Sequence, residues 1–117
     1  MGAVTHSISL ISDSGRTETV EALVGTGSTF TSVPATVLER LGVVPQRTVR
    51  LRLANGQVEE QRIGRLLAQL DGMQESIICV FGPPGSPPVI GAHTLEAFLL
   101  GVDPVERRLV PVEGWWA

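Results

Sequence analysis

Gly25-Thr26-Gly27-Ser28-Thr29 is the run whose residue types and spacing come nearest to a chemical device, with glycines and hydroxyl side chains interleaved directly after the apolar residues 22–24. Glycines permit a sharp turn or a close approach that a Cβ would prevent. A phosphate loop is the first chemistry to test. It fails, because the chain has no lysine, the G-x-x-x-x-G-K-S/T spacing is absent and no long helix follows. A dinucleotide fingerprint fails as well, since Phe30 follows where a third glycine is needed and no βαβ alternation is present. His6 and His93 are the only histidines, too few for a three-histidine zinc site, and there is no H-E-x-x-H. No G-x-S-x-G elbow activates a serine, and Cys79 stands alone in the apolar run Ile77-Ile-Cys-Val-Phe81. We therefore expect no metal and no cofactor.

The elements that must hold the glycine turn are short and mostly extended. Residues 6–12 and 17–24 read as two strands joined by the polar turn Asp13-Ser14-Gly15-Arg16, with Val20, Ala22 and Val24 on one face and Leu23 on the other. This hairpin delivers the chain into Gly25. Residues 30–33 are a short extended piece, Pro34 opens a two-turn helix with apolar Ala35, Val37, Leu38 and Leu41, and Gly42 stops it. Residues 48–53 alternate cleanly, with Val49, Leu51 and Leu53 opposite Arg50 and Arg52. Ala54-Asn55-Gly56-Gln57 is the strongest hairpin signal, because Asn and Gly both tolerate positive φ, and residues 58–63 return from it. Strands at 65–70 and 75–81 follow around Asp71-Gly72-Met73, then a proline-rich surface loop at 82–88. Val89-Ile90-Gly91 leads into a helix at 92–100 ended by Gly101, and residues 105–112 form a last extended segment. Asp13 and Asp71 are expected to satisfy turn hydrogen bonds, and Asp103 to be structural.

A chain of 117 residues fits one domain spanning 1–117, and no internal repeat is visible. Hydrophobic residues make up 43% and charged residues 18%, a balance that leaves apolar surface for a second copy. A formal net charge of -3 without a basic run gives no footprint for nucleic acid. No leader and no apolar run of membrane-spanning length is present, which points to a soluble, cytoplasmic protein.

Three features in order, Ala22-Leu23-Val24-Gly25-Thr26-Gly27-Ser28-Thr29, the Ala54-Asn55-Gly56-Gln57 hairpin and Val89-Ile90-Gly91-Ala-His-Thr-Leu95, resemble a retroviral-type (retropepsin-like) aspartic peptidase of the bacterial branch. The first is similar to that family's active-site loop, the second to its substrate-covering flap, the third to its second signature. The resemblance covers roughly residues 5–112. It implies a mostly β, closed domain with short helices, the acid protease fold, paired as a C2 homodimer in which each copy supplies half of a peptide-binding cleft. It also implies no cofactor, a catalytic loop at Gly25, Thr26, Gly27 and Ser28, and substrate contacts from Gly27, Ala54, Asn55, Gly56 and Gln57.

Gly25 stands where the family carries its catalytic aspartate. Two such carboxylates share one proton, so that the ionised one activates water and the protonated one polarises the scissile carbonyl. Glycine does neither, and in a homodimer both positions are lost. The resemblance thus implies an aspartic endopeptidase homologue that is inactive as it stands, the alternative being a non-catalytic peptide-binding or scaffolding domain on the same fold. Gly25 is either an engineered replacement or a natural loss; the intact run from Thr26 to Thr29 favours the first. No other acid is followed by Thr-Gly. Trp115 and Trp116, two large apolar side chains together, are expected either to pack on their own domain or to cover the seam between copies, the interface being the favoured reading.

Overall fold

The computed structural model describes residues 3–117. Polar-apolar alternation and β-branched residues build β1 (Thr5–Ile11) and β2 (Thr17–Val24), which pair antiparallel from Thr5↔Leu23 to Ile11↔Thr17. Ile8, Leu10 and Ala22 point inward and are buried, while Ser7 bonds Glu21 and Ser9 bonds Thr19 on the outer face. The intervening turn is satisfied by Ser12, not by Asp13 as expected. The Ser12 backbone N–H donates to the Arg16 carbonyl at 2.8 Å and the Ser12 Oγ accepts from the Arg16 N–H at 3.0 Å. Asp71 also departs from expectation, since its carboxylate meets His6 Nε2 at 3.1 Å. Asp103 is structural as expected, accepting from the N–H groups of Val105 and Glu106.

β3 (Thr31–Pro34) runs into α1 (Ala35–Arg40), where Pro34 supplies the non-helical entry and Val37 and Leu38 turn inward. The flap-like arm comprises β4 (Arg47–Arg52) and the first part of β5 (Val58–Leu70). Two strands were expected at 58–63 and 65–70, but β5 passes through Gly64 without a break and pairs on to β6 (Met73–Gly82). Gly64 is there for space. A Cβ on it would lie 3.0 Å from both Val43 Cγ1 and the Val44 carbonyl oxygen, where the α1–β4 connection crosses the strand. Beyond Gly64, Leu66, Ala68 and Leu70 alternate into the core.

β7 (Val89–Ile90), α2 (Ala92–Phe98), β8 (Leu100–Asp103) and β9 (Arg108–Pro111) complete the chain. The second helix ends earlier than expected, because Leu99 takes a left-handed φ of 52° and Gly101 lies inside β8, not at a helix stop. Of the extended segment expected at 105–112, only β9 is strand, and it pairs with β8.

The main sheet has the order β1-β2-β7-β3-β6-β5-β4, and β1 also pairs with β5 over Ser9–Ile11 and 67–69, so the sheet closes on itself. The fold is thus mostly β, with β4 as an arm outside the closed circuit. Ile8, Leu38, Leu70, Ile77, Ile90 and Phe98 belong to one buried cluster inside it. Among the described residues no helix is long and apolar enough to cross a membrane.

Candidate active site

β2 ends at Val24 beside Ile90, its parallel partner in β7, and the Gly25 N–H continues the ladder by donating to the Ile90 carbonyl at 2.9 Å. A tight turn follows, in which the Ser28 N–H donates to the Gly25 carbonyl at 3.0 Å. The turn's exit is bound to the start of α2. Ser28 and Thr29 offer their carbonyls to the N–H groups of Ala92 at 2.7 Å and His93 at 2.9 Å, donors that a helix leaves without internal partners.

This docking brings the two sequence signatures into direct contact. Gly91 is required by the approach, since a Cβ there would fall 2.3 Å from the Phe30 carbonyl oxygen. Its N–H donates to Thr31 Oγ1 at 3.1 Å, and Thr31 Oγ1 lies 2.6 Å from Thr94 Oγ1. Both threonines are fully buried. A buried hydroxyl pair with each partner satisfied is rigid, because any displacement leaves a polar atom dry. Neither threonine stood out in the sequence; the alternation of Thr31 with Val33 on the inward face of β3 is the one signal that was available.

Gly25 occupies a different situation. Its φ lies outside the left-handed region, so the backbone suits any L-residue. A Cβ at this position would meet Val89 Cγ1 at 2.7 Å and Ser28 Oγ at 3.5 Å. The only close obstruction is one methyl of the Val89 side chain, which would have to shift to admit it. Gly27 faces open space, with no atom within 4 Å of its Cβ direction, and Thr26, Ser28 and Thr29 are exposed.

The arm of β4 and β5 turns over through residues 53–57. The Leu53 N–H donates to the Gln57 carbonyl at 2.7 Å and the Gly56 N–H to the Leu53 carbonyl at 2.9 Å. Only Gly56 has positive φ, at 88°, so this is a three-residue loop ending in a left-handed glycine and not a two-residue turn with both Asn55 and Gly56 left-handed. Asn55 acts through its side chain instead, Oδ1 accepting from the Gln57 N–H at 3.0 Å. Arg52 Nη1 adds a bond to the Gly56 carbonyl at 2.8 Å.

Between the glycine turn and this arm lies a cleft of about 640 Å³, lined by residues 27–30 and Ser32 from one side, residues 50–54 from the other, and Val80. Of the residues singled out in the sequence, Gly27, Ser28 and Ala54 line it; Gly25, Thr26, Asn55, Gly56 and Gln57 lie outside the lining. Arg50 and Arg52, which the sequence placed only as the polar face of a strand, line it too. A smaller hollow of about 330 Å³ beside Ser12, Gly42 and Arg65 contains none of the expected residues. No group of three metal-ligating side chains occurs among the described residues.

Solved structures with the same fold include viral, protozoan and bacterial proteins. The retroviral protease-like domain of Ddi1 from Leishmania major aligns with a TM-score of 0.61 at 18% identity, covering 95% of this chain and 89% of that one. The simian foamy virus protease aligns at 0.56 and 16% identity over 78% of this chain and 90% of that one. A retropepsin-like aspartic protease from Rickettsia conorii aligns at 0.52 and 15% identity, covering 88% and 89% respectively. No curated protein sequence matches the chain. Residues 11–103, a span that includes the glycine turn, the arm and the segment docked behind them, match the aspartyl protease family. The chain therefore belongs to the aspartyl protease family and carries its retropepsin-like fold.

Proposed function

We propose that this chain is an aspartic-type endopeptidase homologue whose cleft holds an extended peptide, and that Gly25 leaves it unable to cut. The chemistry suited to this fold is hydrolysis by a water placed between two aspartates, one from each copy of a C2 homodimer. Gly25 would sit at that position in both copies. A positioned acid or base contributes about 10²–10⁴-fold, and here both roles are missing.

The observation that carries the reading is the backbone at Gly25. It has an ordinary φ, its N–H is fixed by Ile90, and it is obstructed only by a Val89 methyl. The backbone of the turn does not require glycine, and a side chain at position 25 needs only the Val89 methyl to shift. In this reading Thr26 bonds across the dimer axis, Gly27 lets the peptide backbone approach, Ser28 lies beside the vacant position, and residues 54–57 close over the peptide by backbone hydrogen bonds.

The test is Gly25→Asp, alone and with Val89→Ala to clear the methyl. Hydrolysis of a denatured protein substrate at acidic pH should rise at least about 100-fold over the unchanged chain. A folded, dimeric double variant that cleaves nothing at any acidic pH overturns the proposal.

A further inference from the structure

We infer that the peptide accepted by this cleft is acidic, with Asp or Glu at alternate positions facing Arg50 and Arg52. This rests on the reading of the cleft as a peptide site. The lining contains these two arginines and no carboxylate, although the chain as a whole carries a formal net charge of -3. The positive lining is therefore local and not a reflection of overall composition. Position 25 contributes no acid to the neighbourhood either.

The spacing matches an extended ligand. Arg50 and Arg52 are two residues apart in β4, so they share a face and lie roughly 6.6 Å apart along the strand. A peptide in the same extended geometry repeats its side chains at that interval. Phe30 and Val80, from outside β4, supply apolar surface for the remaining positions.

The arginines are free to act on such a ligand. The ion pair among the described residues is Arg40–Glu18, which lies outside the cleft, as does the His6–Asp71 contact. Glu60 faces Arg50 across the β4–β5 ladder without closing an ion pair with it. Arg52 gives Nη1 to the Gly56 carbonyl and makes no other side-chain hydrogen bond among the described residues. Guanidinium groups bind carboxylates through paired, charge-assisted hydrogen bonds, which makes an acidic side chain the fitting occupant.

Fluorescence anisotropy with three labelled peptides, alternating Ala with Glu, Gln or Lys, tests this on the unchanged chain and on Arg50→Gln, Arg50→Lys and the Arg50→Gln/Arg52→Gln double variant. The Glu peptide should bind tighter than the Gln peptide by about 2- to 5-fold for each arginine, and the Lys peptide most weakly. The preference should shrink with added salt, fall in Arg50→Gln, survive in part in Arg50→Lys and vanish in the double variant. Equal binding of the Glu and Gln peptides, or a Glu preference that persists in the double variant, overturns the inference and leaves the peptide site standing. Binding of no peptide by the folded protein overturns both.

Discussion

Cys79 shows what burial does to a single reactive group in this molecule. It is fully enclosed in β6, and burial pushes its thiol up to about 12 from an ordinary 9.0. Between those values the unfolded chain releases a proton that the folded chain keeps. The stability contributed by Cys79 is thus complete below pH 9 and declines as pH rises toward 12. A thiol held neutral and out of solvent is also a poor nucleophile. Titration with a thiol-specific chromophore should give no reaction in the native protein and full reaction on unfolding in denaturant; prompt native-state labelling would contradict this placement. The apolar run around Cys79 made its burial legible in the sequence. The role of Val89 was not, because which methyl leans toward position 25 depends on how β7 lies against β2, a pairing between residues far apart in the chain.

At the scale of elements, the decisive junction is the one between the glycine turn, β3 and α2. Thr31→Val keeps the shape and removes the acceptor of the Gly91 N–H together with the partner of Thr94. Leaving these buried groups dry should cost about 1–3 kcal/mol, measured as a shift of the urea unfolding midpoint at constant slope. Thr31→Ser, which keeps the oxygen, should cost less. The hairpins were readable beforehand because period-two alternation and turn residues are local signals, as in β1, β2 and β4. The unbroken course of β5 was not readable, since Gly64 looks like a strand break until the crossing of Val43 and Val44 above it is known. In the same way Leu99 hides the end of α2. A leucine seldom takes a left-handed φ, and Gly101 two residues on offered the more obvious stop.

For the whole molecule, the question is what covers its apolar exterior. Trp115 and Trp116 are 101% and 98% exposed, and Val112 and Leu99 beside them are 46% and 49% exposed. Val112 is tied to this spot by its N–H bond to the Leu99 carbonyl at 2.9 Å. A second copy is the occupant expected from the proposed two-fold cleft. Deleting residues 114–117 should weaken dimerisation by at least about 10-fold in sedimentation equilibrium if each tryptophan contributes as an interface anchor; an unchanged equilibrium would assign the pair to another role. The closed sheet itself follows from pairings such as β1 with β5 that no local pattern encodes, whereas the order of the three signatures along the chain was enough to point to the family. One strand links these levels. β5 holds β6 and β1 along its core half and β4 along its outer half, and Gly64 between them is wedged under the α1–β4 connection. The arm over the cleft consequently has a stiff spine and no hinge at its root. Opening of the arm would proceed by β4 unzipping from β5 from the tip inward, so amide protons of the 53–57 loop and of the adjoining ends of β4 and β5 would exchange with solvent long before those of β5 beyond Gly64.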